Sequence, residues 1–517
     1  MSQLDNNIKL LHPALSPTPA SSRRGWRLLL GVVFCVLLFA GFQYWAYPRY
    51  QVRQIELQLY ADNQRLHVTL PAMPAPRAGD RILIVAPHPD DETIAFGGYI
   101  QQALAVGAHI HIVTITNGDA RGVLSDTNTH RNDLPPNVFI RLGLARQAES
   151  RAAIRMLGLP PDVDTFLGYP DAGTFEMWQP DHWLPAHPVR GRRTRCTASP
   201  YADALTPGAI YCGQALTGDL ETVMRREAPT ILFDLDPNEQ HPDHIAASFF
   251  TSYAFNELRA AGVPFTRRCQ VYYYLVHRRN WPAPMAYAPD LSLDPPVSLY
   301  RQFPHQWFAL PLTHAQTLRT HEALKNFISQ GDVASPVLAA LPRRNELFRR
   351  IPDVRWSGED PSVSLFPVIY DPPADTVGSV QHPDADILQV QLGRDHERLL
   401  VKVLMRGTVT RHTRCTLCLH GGGDTPACRR ILTYTWQAGS ADAWDEQGAH
   451  LATGALTAQI SGHSMLLTAP WPFSDAGPQR TDFFQAHAFT SIGKQVENLT
   501  MSQTVVMREG EAPAEPQ

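Results

Sequence analysis

The stretch 81-RILIVAPHPDDETIAFGG-98 decides how the rest of the chain reads. Ile82–Ala86 is an apolar-rich run of strand length, the pattern of a strand buried on both faces. It passes directly into His88, Asp90, Asp91 and Glu92, a density of charge that packing does not require. From Glu92 to Val106 the spacing predicts a helix. In an open parallel sheet, ligands bind beyond the carboxyl ends of the strands, where a helix begins. The imidazole and carboxylates of this corner stand at that place.

Working outward, strands and helices alternate. Strands are expected at 109-HIHIVTITNG-118, near Asp164–Leu167, at 230-TILFDLD-236 and at 269-CQVYYYLVH-277. Helices are expected around 144–158, 215–228, from Pro242 onward and at 313–330. Alternation of this kind predicts an α/β fold, a Rossmann-like and mostly parallel sheet with helices on both faces. An insertion at 171–215 has no clear period and is expected to form loops over the site, and 343-RRNELFRR-350 reads as a polar turn closing a unit at 80–352. After 370 the texture changes to short strand-like runs such as 386-DILQVQL-392, 399-LLVKVLM-405 and 464-SMLLTAP-470. They predict an all-β sandwich at 370–505, followed by a disordered tail at 506–517.

With 517 residues, 44% hydrophobic and 18% charged, the chain is large enough for two folded units. A net charge of -4 gives no basic field and weighs against nucleic acid as the main partner. Residues 28–47 form a 20-residue apolar run broken only by Gln43, preceded by Arg23, Arg24 and Arg27. That length spans a bilayer, and the flanking arginines place residues 1–27 in the cytosol. The expectation is a single-pass transmembrane anchor, a linker at 48–79 and a catalytic unit on the periplasmic or extracytoplasmic side, with a cleaved signal peptide as the rival reading. Six cysteines lie outside the anchor, an even number compatible with disulfides, and Cys196 and Cys212 are the first candidate pair.

A second motif, 241-HPDH-244, follows the strand Ile231–Leu235 and carries two histidines three apart on the first turn of a helix. The two motifs converge on one edge of the sheet. Catalytic zinc takes three protein ligands from His and carboxylate and keeps a position open. A carboxylate beside it can serve as base, and a histidine off the metal can polarise a carbonyl and protonate an amine. Of two adjacent aspartates one can ligate while the other accepts a proton. Taken alone, the first motif could equally be a turn and helix cap.

On His88 to Glu92 and His241 to His244 the sequence resembles the PIG-L/LmbE family of zinc-dependent N-acetylglucosaminyl deacetylases. Lesser matches lie at 116-TNGDA-120, 146-RQAES-150, 168-GYPD-171, 325-KNFISQ-330 and 344-RNELF-348, so that the resemblance covers roughly 80–350. It implies that His88, Asp91 and His244 hold Zn2+ and that Asp90 is the general base. It further implies that His241 stabilises the oxyanion and protonates the amine while Asp243 orients its ring. Arg146 would line the substrate pocket and Asp171 would meet a sugar hydroxyl. The substrate implied is an N-acetylated amino sugar in a glycan or glycoconjugate. Competing readings are a non-catalytic surface glycan-binding protein and an amidase of a mycothiol-like thiol conjugate.

Several residues have plainer alternatives. Arg146 and Glu149 suit a helical ion pair, Asp171 a turn, and Glu92 a carboxylate at a helix N-terminus. Cys415 and Cys418, with His412, His420 and Cys428, could form a second zinc site, against which disulfides or plain strand cysteines are weighed. Gly97 and Gly98 lack the third glycine of a dinucleotide fingerprint and suggest helix–sheet packing. Asn498-Leu-Thr is a glycosylation sequon by pattern.

Overall fold

In the computed structural model the described residues are Val32, Cys35, 64–120, 134–160, 162–278, 281–330, 336–356, 365–374, 376–451, 456–475 and 477–507. The expected tail at 1–27 and anchor at 28–47 fall outside them, apart from Val32 and Cys35, and so does 508–517. Among the described residues no helix is long and apolar enough to cross a membrane.

The apolar run at Ile82–Ala86 is fully covered because it occupies the middle of a sheet. That sheet comprises β1 (Arg81–Ala86), β2 (His109–Thr116), β3 (Asp164–Tyr169), β4 (Ile231–Leu235), β5 (Gln270–Tyr274), β6 (Trp307–Pro311) and β7 (Asn345–Arg349). Its order is β3-β2-β1-β4-β5-β7-β6. The first five strands of that order run parallel, whereas β7 is antiparallel to both β5 and β6. Five helices longer than two turns accompany it: α1 (Asp91–Ala105), α2 (Pro136–Leu157), α3 (Gly213–Glu227), α4 (Pro242–Ala260) and α5 (His314–Leu324). Helices α1, α2 and α5 pack together, and α3 packs with α4, as right-handed crossovers on the two sides of β1 require.

After β1 the chain moves to β2 on one side, and after β3 it crosses back to β4 on the other. The carboxyl ends of β1 and β4 therefore diverge into different loops while their bodies pair at Ile84 and Phe233. This is the topological switch point, the crevice where open α/β sheets bind ligands.

The stretch 343–350 is not a turn: Asn345–Arg349 is a strand buried at every position. Its polar residues meet buried partners that the local pattern does not reveal. Glu346 accepts the N–H groups of Gly98 at 2.6 Å and Tyr99 at 2.8 Å, and Arg349 meets Asp236 at 3.1 Å. The Gly97–Gly98 pair serves close approach of a helix and a loop more than of the sheet. A β-carbon at Gly97 would lie 2.3 Å from Thr320 of α5, and one at Gly98 would lie 2.4 Å from Leu312.

The second half is a β-sandwich of β8 (Val354–Arg355), β9 (Phe366–Tyr370), β10 (Ile387–Asp395), β11 (Arg398–Met405), β12 (Thr413–Gly422), β13 (Arg430–Gln437), β14 (Ser440–Asp445), β15 (Thr457–Ser461), β16 (Ser464–Pro470), β17 (Phe483–Ile492), β18 (Gln495–Leu499) and β19 (Gln503–Val506). One sheet runs β15-β16-β11-β10-β9, and the other runs β14-β13-β12-β17-β19-β8 with β18 paired to β17. Val390, Leu392 and Val401 of the first meet Leu417, Leu419 and Trp436 of the second in one core. The outer face of the second sheet covers α4. Tyr253 donates its hydroxyl to the Gly421 carbonyl at 2.9 Å, and Arg429 forks onto Glu257 at 2.7 and 2.6 Å. Asp243 through Thr251 are all buried, the signature of a helix enclosed on every side.

All seven cysteines are free thiols, which corrects the expected Cys196–Cys212 disulfide. The segments do pair, with Tyr211 N–H on the Thr197 carbonyl at 2.9 Å, but the Tyr211 carbonyl then takes Val189 N–H at 2.8 Å and the chain leaves the ladder. Cys212 begins α3 as its buried cap residue. No second metal cluster forms at Cys415 and Cys418 among the described residues. Strand alternation separates them: Cys415 enters the sandwich core, while Cys418 lies 3.7 Å from the Thr433 hydroxyl.

Candidate active site

The β1–α1 corner brings His88, Asp90 and Asp91 to the crevice. Asp90 caps α1 with φ of 153°, a backbone state that L residues rarely adopt and that clusters at functional positions. Glu92 stabilises it by accepting Asp90 N–H at 2.9 Å, while its other oxygen takes the Ser150 hydroxyl at 2.9 Å. Glu92 is thus a brace for the Asp90 turn as well as a carboxylate at the helix start.

The β4–α4 corner supplies the remaining residues. His244 Nε2 lies 3.1 Å from His88 Nδ1 and 3.3 Å from Asp91 Oδ2, and His88 Nδ1 lies 3.5 Å from the same oxygen. For ligand bonds of 2.0–2.1 Å, tetrahedral coordination places donor atoms about 3.3 Å apart. The three distances bracket that edge. Two imidazole nitrogens and a carboxylate oxygen converging on one point are a donor set that suits a divalent ion. His88, Asp91 and His244 therefore fit a divalent ion.

Charge supports the same reading. Burial alone would lift Asp91, but the imidazoles of His244 and His88 hold its carboxyl well below the usual range. Asp90 moves the other way, raised by burial and by the charge of Asp91 against the pull of Arg146. Burial, opposed by Asp91, lowers His244 to about 4. The two adjacent aspartates are thereby separated into a charged one facing the imidazoles and a more basic one beside them.

His241 stands at the rim, its ring centroid 4.9 Å from that of His88. Its Nδ1 accepts Asp243 N–H at 3.3 Å, which puts the proton of the neutral ring on Nε2. Burial and the charges of His88 and His244 lower its pKa. Asp243 does not serve mainly to orient this ring: its Oδ2 is 3.9 Å from His241 Nδ1 but 3.3 Å from His88 Nε2. The carboxylate is fixed by Ala172 N–H at 2.8 Å, Thr174 N–H at 3.2 Å and the Thr174 hydroxyl. Asp243 orients His88, as a carboxylate does when it fixes the tautomer of a metal-binding histidine.

Arg146 and Asp171 also sit deeper than the sequence suggested. Arg146 is 3% exposed and donates to the Gly118 carbonyl at 2.8 Å and the Pro89 carbonyl at 3.3 Å. Its Nη2 is 3.7 Å from Asp90 Oδ1. It holds the Asp90 turn rather than lining an open pocket. No Arg146–Glu149 pair forms, since Glu149 accepts the N–H and hydroxyl of Ser329. Asp171 takes Ala120 N–H at 2.7 Å and faces His88 Nε2 at 3.4 Å, so it supports His88 and is not merely a turn residue.

Two further site residues escaped the sequence reading. His277 follows β5, and its ligand atom shares a cluster with those of Asp91 and His244. Its signal was its place just past the carboxyl end of the strand next to β4. Glu239, fully buried, sets Oε1 3.6 Å from His244 Nδ1 and accepts the N–H groups of Val276 at 2.5 Å and His277 at 2.8 Å. It had no separate signal in a loop of Asp, Asn and Gln.

Residues 83–255 match the PIG-L family, described as GlcNAc-PI de-N-acetylase. The 1D-myo-inositol 2-acetamido-2-deoxy-alpha-D-glucopyranoside deacetylase of Kribbella flavida is 33% identical over 180 residues, 34% of this chain and 53% of that protein. Its namesake in Tsukamurella paurometabola is 28% identical over 268 residues, 50% of this chain and 80% of that one. The chain spans 53% and 52% of the length of the first two curated relatives it matches. The solved N,N'-diacetylchitobiose deacetylase of Pyrococcus horikoshii aligns with 52% of this chain and 83% of its own, at 19% identity and a TM-score of 0.31. Within its α/β half, over residues 83–255, the chain is similar to the PIG-L family.

Proposed function

We propose that this protein is a zinc-dependent N-deacetylase that hydrolyses the acetamide of an N-acetylated, N-acetylglucosamine-type amino sugar in a glycan or glycoconjugate. The observation that carries the reading is the convergence of His88 Nδ1, Asp91 Oδ2 and His244 Nε2 within 3.1–3.5 Å, with Asp90 adjacent. When bound there, a zinc ion supplies Lewis acidity that polarises the amide and acidifies water.

The chain's own groups do the rest. Asp90, with its raised pKa, takes the proton of the attacking water as the new C–O bond forms. Neutral His241 presents Nε2–H to the acetamide oxygen as negative charge develops on it. With its pKa lowered to about 4, His241 is neutral near physiological pH and holds no imidazolium proton for the departing amine, so this reading moves amine protonation from His241 to Asp90. The proton Asp90 accepted passes to nitrogen as the C–N bond breaks, and acetate and a free amine result. Asp243 and Asp171 keep His88 in place, and Arg146 keeps Asp90 in place.

The test is acetate release by the purified protein from a panel of N-acetylated sugars and oligosaccharides. Release should stop on chelation and return with added Zn2+. Activity unchanged by a chelator that strips the protein of metal would refute the reading. We further propose that residues 28–47 anchor the protein with the catalytic unit outside the cytosol, supported by the length of the run and the arginines before it. Protease added to intact cells should then digest the catalytic unit.

A further inference from the structure

The insertion between β3 and α3 contains 187-HPVRGRRTRC-196, with four arginines in six positions of a chain whose net charge is -4. The turn is held rigidly. Gly191 N–H bonds the Cys196 carbonyl at 2.8 Å, Arg195 N–H bonds the Gly191 carbonyl at 2.9 Å, and Arg190 Nε donates to the Arg195 carbonyl at 3.1 Å. The Arg193 guanidinium lies 5.6 Å from the Phe139 ring of α2 and ties the turn to the fold. Arg190, Arg192 and Arg195 are exposed, and among the described residues no carboxylate pairs with them. Two other carboxylates of the same insertion have partners of their own, Asp203 with Arg151 at 3.6 Å and Asp181 with His182 at 3.8 Å.

Arg195 has φ of 58°. That left-handed state suits glycine or asparagine and strains arginine, and such strain is a mark of function. The turn also adjoins the reaction site. Val189, next to Arg190, packs on Gly173, where a β-carbon would lie 3.4 Å from Val189 Cγ1. Gly173 in turn separates Ala172 and Thr174, whose N–H groups hold Asp243.

We propose that this arginine turn is a subsite for the anionic groups of an acidic glycan, so that the substrate is a charged polymer whose N-acetylated unit reaches Asp90 while neighbouring carboxylates or phosphates meet Arg190, Arg192 and Arg195. The proposal rests on the deacetylase reading and names its substrate class. Guanidinium suits it because its planar fork matches both oxyanions. The backbone bonds already order the turn, so binding has only the arginine side chains left to order.

The test uses the full chain carrying Arg190→Ser, Arg192→Ser and Arg195→Gly together. Two probes are compared: oligosaccharides alternating N-acetylglucosamine with glucuronate, and neutral chitotetraose. For the acidic probe kcat/KM should fall about tenfold or more, and for chitotetraose it should change by less than about twofold. Raising salt should shrink the wild-type preference for the acidic probe. Equal losses on both probes, or none on either, would overturn the subsite. Calorimetric binding of the acidic probe to Asp90→Asn protein, with and without the arginines, keeps the two ideas separable. Arginine-dependent binding with no acetate release by wild type upholds the subsite and sinks the deacetylase. Arginine-dependent binding to phosphatidylglycerol vesicles, with no effect on the acidic probe, would reassign the turn to a membrane surface and overturn the proposal.

Discussion

Helix α4 carries a histidine cluster at its N-terminus and packs against another along its side, and the two differ in the company their rings keep. At the N-terminus His88, His241, His244 and His277 are interleaved with Asp91, Asp171, Asp243 and Glu239. Along the side His420 and His487, from β12 and β17, meet aromatic rings. His420 stacks on Trp178 at 3.9 Å with planes 8° apart, and Trp178 Nε1 donates to His487 Nδ1 at 3.5 Å. Both ring nitrogens of His420 lack hydrogen-bond partners. Burial pushes His420 well down, with His487 adding to it, and burial alone takes His487 to about 3. His88, also buried, is raised instead, because Asp171, Asp243 and Asp91 outweigh the cost of burial. Burial by itself keeps an imidazole neutral. Carboxylates converging on His88 give it a donor set that fits a cation.

The comparison can be broken most forcefully at Asp90. Asp90→Asn should lower kcat by about 10²–10⁴, the usual share of general acid–base catalysis, while bound metal measured by mass spectrometry stays at wild-type stoichiometry. Metal loss in this variant would move Asp90 from base to ligand. Next in size, Arg429→Met should destabilise the fold by about 3 kcal/mol in denaturant melts, because it strands buried Glu257. Metal content should not change. A loss of metal here would mean that the sandwich side of α4 governs the site directly.

Glu239→Gln should weaken Zn2+ binding about 10- to 100-fold in competition with a chromophoric chelator, the typical effect of removing a carboxylate behind a ligand histidine. Unaltered affinity would leave Glu239 as a link between loops only. The smallest effect belongs to His420→Phe, which removes two unpartnered buried nitrogens and keeps a ring on Trp178. Stability should shift by less than about 1 kcal/mol, with metal content and activity unchanged. Loss of either would erase the distinction between the clusters.

Much of the site was legible before any coordinates. His88, Asp90, Asp91, His241 and His244 stand in two short motifs, each just past an apolar strand, and strand-end position is a local property. Arg146 was legible as important but not in its role, because only the folded chain shows its guanidinium spent on the Pro89 and Gly118 carbonyls. The polar stretch 343–350 misled for the same reason. Its charge suggested solvent, and the partners that bury it, Gly98 and Asp236, lie far away in sequence.

By itself, then, the sequence determined the alternation of strand and helix, the sandwich that follows, and the ligand-type residues at two strand ends, since periodicity and turn chemistry act over a few residues. Only the tertiary structure decided that His277 and Glu239 join the site, that Asp243 steadies His88, that Cys196 and Cys212 stay apart, and that the sandwich encloses α4. Those outcomes depend on which distant segments the sheet order makes neighbours, and strand order is a long-range property that no local spacing encodes.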